Sequence, residues 1–313
     1  MTVPANSSSS EVIVAQELSK WFGEVVALNN LDATIGPGVT GLLGPNGAGK
    51  STFIKAALGL YKPSRGTLLV YGEPPRNNID VLRRIGYCAE SDKFPENVSG
   101  YEFVYWAARL WGMDAATASR AAEEACARVR MDHRMDDLIE EYSRGMRQRI
   151  KIAQAMATNP DLLFLDEPMA GLDPQGREET FALIRQLGEE GRTVLFSSHI
   201  LHEIERVTNQ VMVLHNGRML ARGQVRQIRE LIDEHPHAVT VQCNAPHRLS
   251  TFFVEDESTL HMEFHEKSVT IRTRDPNSFY QKLNGIVMDG AVQVDSITCP
   301  DDNLQSVFQY LVE

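Results

Sequence analysis

The 313-residue chain is long enough for one large domain and a second, smaller one. Its formal net charge of −11 argues against a nucleic-acid-binding protein, because surfaces that bind nucleic acid are basic. Its four cysteines are scattered without a C-x-x-C pair, which disfavours both a disulfide framework and a zinc site and indicates a reducing compartment.

Residues 1–10 have neither the basic region nor the apolar region of a signal peptide, so we expect a short disordered tail there. No apolar stretch reaches the length of about 18 residues that a membrane-spanning helix needs. From Glu11 to Phe22, alternating and β-branched residues predict a strand that enters the first domain. Trp21 and Phe22 close this strand, and two roles are open to their rings: packing in the core, which is the default, or stacking on a nucleobase.

The central motif lies between an apolar run at 39–43, which predicts a buried strand, and a helical pattern after Lys50. Strand, glycine-rich loop and helix in this order are the context of a phosphate-binding loop. The glycines allow backbone N–H groups to approach an anion at the positive end of the helix dipole. Lys50 adds a charge for the β- and γ-phosphates, and the Ser51 hydroxyl can ligate Mg²⁺. The predicted nucleoside triphosphate site comprises Gly44, Pro45, Asn46, Gly47, Ala48, Gly49, Lys50, Ser51 and Thr52.

A helical region follows a strand that is expected to end on the carboxylate of Glu90. Ser99 and Glu102 have the spacing of a capping box, so a helix is expected to begin there. Aromatic residues crowd that helix and either pack in the core, which is the default, or line a groove that receives a partner helix. Residues 115–157 have an almost wholly helical pattern, and we predict a helical subdomain over about 91–158.

A second candidate phosphate site lies at Ser143, which is a plausible cap for the helix that follows it. Gly145 would leave the N–H groups of the first helical turn accessible to an anion. The alternative is a serine that only caps, as most such serines do.

Two adjacent carboxylates, Asp166 and Glu167, follow an apolar run that predicts a fully buried parallel strand. Ligands of open α/β sheets bind where such strands end, which is also where the phosphate loop emerges. One carboxylate can help to hold Mg²⁺ while the other orients and deprotonates water. The alternative is a salt-bridged strand end.

A further apolar strand, over 193–200, delivers His199 to the same edge. A lone histidine is more often structural, but three strands that bring polar residues to one edge favour a functional role. A turn at 171–174 and a helix over 175–189 precede this strand, and a hairpin that turns at Asn216 and Gly217 closes the first domain.

A polar segment at 232–237 predicts a domain boundary. Beyond it, short strands and two helices, near 276–283 and 302–310, indicate a small α+β domain over 238–313. No motif in this second domain suggests chemistry.

Over about residues 11–230, these motifs and their order resemble those of the ATP-binding cassette (ABC) ATPases. The resemblance implies an α/β fold: a P-loop NTPase core within an ABC nucleotide-binding domain over 11–231, which includes the all-helical subdomain, followed by the small C-terminal α+β domain. The matching pieces are the aromatic base-stacking loop at Phe22, Walker A at 44–52, the Q-loop at Glu90, the signature at 142–149, Walker B at 162–168, the D-loop at 171–174 and the switch histidine at His199.

The resemblance also implies a Mg²⁺-dependent ATPase with assigned roles. Glu167 would polarise the attacking water, His199 would fix that water and contact the γ-phosphate, and Lys50 would neutralise developing charge. The implied metal ligands are Ser51, Glu90 and Asp166.

Two copies, as a homodimer or a paired cassette, would face each other head to tail with ATP at the interface. Each ATP would be clamped between Walker A of one copy and the signature of the other, with Phe22, Glu90, Ser143, Gly145 and Asp173 as further nucleotide-binding residues. The implied partner is an integral membrane permease, so the chain would be cytoplasmic and peripheral on the inner face of the membrane, with no nucleic acid expected. The YSRGM signature is similar to that of bacterial exporters.

Three residues depart from the family pattern: Glu90 replaces a glutamine, Arg144 a glycine and Tyr142 a leucine. The charge of Glu90 should alter the pH or metal dependence. An alternative function is a soluble ABC-type ATPase that acts on ribosomes or nucleic acid, but a single Walker A loop and the short spacing from Lys50 to Ser143 disfavour it. A small-molecule phosphotransferase is disfavoured because nothing resembles an acceptor site.

Overall fold

The computed structural model describes residues 11–226 and 237–298. The chain divides into two compact units between Gln224 and Val225. The predicted tail and most of the predicted linker at 232–237 lie outside the described residues, so both stay predictions. Within the described ranges, no helix is long and apolar enough to cross a membrane.

A six-stranded sheet forms the centre of the first unit, and five of its strands run parallel. The sixth is the second strand of the predicted hairpin. Because parallel strands end at one edge of a sheet, the residues that follow three inner strands are brought together there. In spatial order the strands are β5 (Ile85–Cys88), β6 (Leu162–Leu165), β7 (Thr193–Ser198), β3 (Val39–Leu43), β8 (Gln210–His215) and β9 (Arg218–Gln224).

The described residues of the first unit also form an antiparallel sheet, in the order β2 (Val25–Ile35), β1 (Ile13–Phe22) and β4 (Arg65–Val70). Strand β2 is not predicted from the sequence. Asn29 and Asn30 interrupt its apolar pattern, and Asn30 adopts a φ of +51° near shifts in the register with β1. The pairing with β1 therefore stabilises a strand whose own pattern is irregular.

The first helix is buried in the core of the first unit. Phe53 and Ile54 are fully buried in an apolar cluster that takes residues from both sheets. The α-helices of this unit are α1 (Lys50–Ala57), α2 (Ile79–Leu82), α3 (Gly100–Trp111), α4 (Ala115–Arg128), α5 (Arg144–Met156), α6 (Pro174–Glu189) and α7 (Leu201–Glu205).

Helices α3, α4 and α5 pack on one another. The predicted capping box of α3 is confirmed, because Ser99 Oγ accepts from Glu102 N at 3.1 Å and Ser99 N donates to Glu102 Oε2 at 2.9 Å. Only Gly100, Val104 and Ala108 of α3 are fully buried, so most of its aromatic rings lie at least partly in solvent.

The prediction of an almost continuous helical pattern over 115–157 is wrong in its middle. Between α4 and α5 the chain forms turns and a short 3₁₀-helix, Ile139–Glu141. Arg130 adopts a φ of +57°, which ends the helical path. The Tyr142 hydroxyl then donates to the carbonyl oxygen of Arg134 at 2.6 Å and holds the turns in place.

Residues 237–298 of the second unit have the chain order β-α-β-β-α-β, the ferredoxin-like arrangement. Its antiparallel sheet has the order β11-β12-β10-β13, with the strands β10 (His237–Cys243), β11 (Thr259–His265), β12 (Ser268–Thr273) and β13 (Val294–Thr298). The helices within 237–298 are α8 (Pro246–Thr251), which was not predicted, and α9 (Pro276–Met288). The predicted helix near 302–310 lies outside the described residues.

Candidate active site

The phosphate loop joins β3 to α1. Gly49 caps α1 at a φ of +105°, and a Cβ there would lie 2.7 Å from the carbonyl oxygen of Ala27. A Cβ at Gly44 would lie 2.4 Å from the carbonyl oxygen of Leu214. Backbone from two other strands therefore approaches the loop too closely for any side chain at its first and last glycines.

The predicted hairpin turn supports this loop. Asn216 and Gly217 both have positive φ, +46° and +75°, as in a two-residue hairpin turn. Gly217 N donates to the carbonyl oxygen of Ala48 at 2.9 Å, and its own carbonyl accepts from Asn29 N at 2.8 Å. The turn thus connects the unpredicted strand β2 to the phosphate loop.

Lys50 is buried at the start of α1, with 6% of its side chain exposed. Its ammonium group donates to the carbonyl oxygens of Gly44 at 2.6 Å and Pro45 at 3.3 Å. It also lies 3.1 Å from Glu167 Oε1. This last contact is an ion pair without hydrogen-bond geometry, because Glu167 Oε1 accepts no hydrogen bond from the described residues. That oxygen therefore retains its capacity to accept from a water molecule.

Glu167 connects the lysine to the histidine. Its other carboxylate oxygen, Oε2, lies 3.0 Å from Nδ1 of His199, whose side chain is half exposed. Glu167 adopts a φ of +51°, so the chain turns directly after β6. The structure thus brings Lys50, Glu167 and His199 into one connected group, in which opposite charges meet in a mostly buried environment.

Ser197 links the two carboxylate residues and was not singled out by the sequence analysis. This fully buried hydroxyl donates to Asp166 Oδ1 at 2.7 Å and accepts from Glu167 N at 2.8 Å. It therefore fixes a side-chain oxygen of one acid and the backbone of the other. The only signal in the sequence is a polar pair, Ser197 and Ser198, at the end of an otherwise apolar strand.

Replacing Ser197 with alanine is expected to lower the rate of the ATP hydrolysis that the sequence resemblance implies by about tenfold, with little change in KM. This is the effect of losing one or two positioning hydrogen bonds. Steady-state ATPase assays with a thermal melt as a stability check measure this. Ser198→Ala is the matched control, because the Ser198 hydroxyl donates to Glu203 Oε2 at 2.6 Å instead. An equal loss of ATPase rate in both variants would show that Ser197 contributes to the stability of the fold and not to the positioning of the two acids.

The side chains for a metal ion are oxygen donors. Asp166 is 1% exposed and Ser51 is half-buried, and carboxylate and hydroxyl oxygens are ligands that suit Mg²⁺. The described residues contain no cluster of three or more His, Cys, Asp and Glu side chains that could hold a metal ion. The oxygen donors of Ser51 and Asp166 thus have the chemistry that Mg²⁺ prefers. At Glu90 the structure records a main-chain contact, from Lys151 Nζ to its carbonyl oxygen at 3.2 Å.

A cysteine ends β5 beside these acids. Burial raises the pKa of the Cys88 thiol to about 12, with Lys151 opposing the shift and Asp166 adding to it. The thiol therefore stays protonated near neutral pH and is unreactive as a nucleophile. Cys126 is also buried, and its pKa is likewise raised to about 12.

The signature residues and the D-loop turn form a second group. Ser143 caps α5, as predicted, and its Oγ accepts from Met146 N at 3.2 Å. The Arg144 side chain covers Gly171, where a Cβ would lie 2.1 Å from its Nε. Asp173 caps α6 by accepting from Gly176 N at 2.9 Å. A Cβ at Gly145 would lie 3.6 Å from Leu172, so Gly145 belongs to this group. The hydrogen bonds and the ion pair of Lys50 within the described residues go to Gly44, Pro45 and Glu167, and none goes to this group.

The aromatic residues at the end of β1 lie at the surface. Trp21 is 46% and Phe22 43% exposed, so the default interpretation as core residues is wrong. The Phe22 ring meets Tyr61 edge to face with centroids 5.0 Å apart, and Lys20 Nζ lies 4.8 Å from the Phe22 centroid. An exposed ring held in this way suits stacking on a flat ligand.

Comparison with known proteins agrees with these motifs. The ABC transporter family model matches residues 28–170. The bacitracin transport ATP-binding protein BcrA of Bacillus licheniformis is 32% identical over 307 residues, which cover 97% of this chain and 98% of that protein. The daunorubicin/doxorubicin resistance ATP-binding protein DrrA of Streptomyces peucetius is 31% identical over 310 residues, covering 97% and 93%.

A solved structure of the ATP-binding subunit of an ABC transporter is 29% identical, with a TM-score of 0.63 over 70% of this chain and 92% of that one. This likeness supports an ABC ATPase cassette fold for the chain. The full-length similarity to BcrA and DrrA includes the second unit as well. The chain therefore belongs to the ABC transporter family, as an ATP-binding subunit with ATPase activity.

Proposed function

We propose that the chain hydrolyses Mg²⁺-ATP to drive export through a separate membrane permease, docked on the cytoplasmic face of the membrane. The observation that carries the proposal is the connected group of Lys50, Glu167 and His199, in which both contacts of Glu167 are 3.1 Å or shorter. Export is supported by the names of the full-length relatives, which transport bacitracin or confer resistance to daunorubicin and doxorubicin. The ribosome or nucleic-acid alternative has no such support.

Glu167 is the proposed general base. Its Oε1 faces Lys50, so a water molecule that donates to this oxygen would lie next to the γ-phosphate that Lys50 binds. His199, on the other oxygen, would orient the carboxylate and contact the same phosphate. Phosphoryl transfer requires mainly positioning and charge stabilisation, which this arrangement supplies.

Ser51 and Asp166 are the proposed protein ligands of Mg²⁺, with Glu90 as a further candidate. The ion would neutralise charge on the phosphate oxygens. Ser197 holds Asp166 Oδ1 at 2.7 Å and so fixes the direction of that carboxylate. Phe22 is the proposed platform for the nucleobase.

Ser143, Gly145 and Asp173 are proposed to act on the ATP of a second copy. Ser143 and Asp173 are exposed, and the backbone N–H groups at the start of the 13-residue helix α5 suit an anion. Since the recorded contacts of this group do not involve Lys50 of its own chain, a head-to-tail pair of cassettes would bring both groups onto one ATP.

A cleft beside α3 is the proposed docking site for a cytoplasmic helix of the permease. Its volume is about 350 Å³, and it combines aromatic rings with a buried lysine that pairs with Asp92 at 2.8 Å. Aromatic and aliphatic walls with a charged rim suit an amphipathic helix. The residues that line the cleft include Tyr87, Phe94, Phe103, Ala107, Trp111 and Lys151.

Filling the cleft with Ala107→Trp is expected to lower association with the membrane permease by about tenfold, as loss of one interface hot spot does, with the ATPase activity of the isolated chain unchanged. The measurement is cofractionation of the chain with membranes that contain its permease partner. Leu110→Trp is the control, because Leu110 lies on the same helix, is 89% exposed and does not line the cleft. Association at the wild-type level with Ala107→Trp would contradict this docking site. ATPase activity that nucleic acid stimulates would favour the alternative function.

A further inference from the structure

The second unit has an exposed edge strand. In the described part of the chain, β11 pairs with β12 on one side and with no strand on the other. Its apolar side chains are unusually exposed for a strand, 43% for Leu260 and 41% for Phe264. An edge strand presents unpaired backbone N–H and C=O groups, which proteins commonly protect with charges or cover with another strand.

The register of β11 determines which backbone groups point outward. His265 pairs with Ser268 across a two-residue turn, so this closing pair exchanges hydrogen bonds with β12. Because hydrogen-bonded and non-hydrogen-bonded pairs alternate along an antiparallel ladder, Glu263 also points its backbone groups toward β12. Met262 and Phe264 therefore direct their N–H and C=O groups to the open edge.

From His261 to His265 the side chains of β11 alternate between two faces, whereas Leu260 lies at a shift in the register with β12 between Thr259 and His261. Met262 packs against the apolar core of the second unit, and the Phe264 ring stacks on His247 with centroids 4.6 Å apart. His261 and Glu263 are exposed on the other face. Residues 261–264 thus have an apolar face and a charged or polar face, and the exposed Leu260 precedes them.

Residues 260–264 of one copy are complementary to the same residues of a second copy that runs antiparallel to it. In antiparallel pairing about Met262, Leu260 of one strand lies opposite Phe264 of the other. In the same register, His261 lies opposite Glu263. Both kinds of pair stabilise sheets, and this register also places the outward backbone groups of Met262 opposite their own copy.

We propose that two copies of the chain associate through β11, paired antiparallel with Met262 on the two-fold axis. The contact is isologous, so each apolar pair and each His–Glu pair occurs twice. It continues the four-stranded sheet of one copy into that of the other. This interface goes beyond the ATP-clamping pair proposed above, because none of its residues belongs to the nucleotide site, and it does not depend on ATP.

Cysteine crosslinking of the full chain tests the contact and its register. Opposite residues in a hydrogen-bonded antiparallel pair have Cα atoms about 5.5 Å apart, within the range of a disulfide. Met262→Cys should therefore crosslink to itself under mild oxidation. Phe264→Cys should not, since its copy would lie roughly 14 Å away, but it should crosslink to Leu260→Cys when the two variants are mixed.

Each cysteine variant also carries Lys50→Ala and is tested without ATP, so that an ATP-dependent dimer does not contribute to the crosslink. Cys299→Ser is included to remove one native cysteine. The other native cysteines, Cys88, Cys126 and Cys243, are buried. Absence of the Met262→Cys crosslink, or equal self-crosslinking at Phe264→Cys, would overturn the proposal. The head-to-tail dimer that clamps ATP has a separate test, which is whether the Glu167→Gln variant self-associates only when ATP is present.

A charge exchange provides a second test that does not need a disulfide. Glu263→Lys places a cation opposite His261 of the other copy, and His261→Glu places two carboxylates opposite each other. Either change should weaken self-association by about tenfold, because two symmetry-related pairs are lost. The double variant restores opposite charges and should regain most of the association in sedimentation equilibrium. A double variant that associates no better than the singles would contradict the His–Glu pairing.

Discussion

Glu167→Gln is expected to lower ATP turnover by about a hundred- to a thousandfold, the usual cost of removing one preorganised catalytic group. The amide has nearly the shape of the carboxylate but does not accept a proton from water. Lys50 remains free to bind phosphate, so ATP affinity should stay within a fewfold of the wild-type value. Equilibrium binding of a fluorescent ATP analogue and a steady-state phosphate-release assay separate the two effects.

Glu203→Gln is the matched control for this variant. Glu203 is also a buried carboxylate near β7, but it accepts from Ser198 and lies 3.7 Å from Arg177. Turnover should be retained there. Near-normal turnover in Glu167→Gln, with ATP bound, would remove Glu167 from its role as the base.

Lys50→Ala is expected to weaken ATP binding by roughly ten- to a hundredfold, because hydrogen bonds to a charged group contribute about 1.5–3 kcal/mol. Turnover should fall further, since the same charge stabilises the transition state. Binding is measured by calorimetry with Mg²⁺-ATP, and hydrolysis by phosphate release at saturating ATP.

Lys55→Ala in the same helix is the control, since it changes the charge of α1 without touching the phosphate loop. The alanine at 50 also leaves Glu167 without its 3.1 Å ion pair, so a melting curve must show that the variant is folded. A folded Lys50→Ala variant with wild-type affinity would show that ATP binds elsewhere.

The salt-bridged strand end that the sequence left open is present in the structure. Glu167 is ion-paired, but its partner is Lys50 of the phosphate loop. The structural and functional interpretations therefore concern the same contact. A purely structural pair would need no histidine at 3.0 Å on the second oxygen, nor a buried serine fixing the adjacent acid.

Local patterns predicted the phosphate loop, the buried strands and the caps at Ser99 and Ser143. Each is set by residues close together in sequence: glycines at fixed spacing, continuous apolar runs, or a serine three residues before the N–H it accepts. Once the strands are known to be parallel, Glu167 and His199 are predicted to lie at the same edge of the sheet, because each follows the end of a strand.

Other features depend on contacts between distant parts of the chain, and the sequence did not show them. Strand β2 exists because β1 pairs with it despite the interruption at Asn29 and Asn30. Ser197 has a role only because β6 and β7 are neighbours. The contact of the Arg144 side chain with Gly171 likewise joins two segments that are distant in sequence, and the hydrophobic periodicity of each segment does not reveal it.

The most direct test of the account is a crystal structure of the Glu167→Gln variant with ATP and Mg²⁺. We predict that Lys50 Nζ lies within about 3 Å of a β- or γ-phosphate oxygen. The substituted amide side chain and His199 should face the γ-phosphate, with Ser143 of a second copy on its far side. A triphosphate held by residues outside the phosphate loop, with Lys50 and His199 directed away from it, would contradict the account.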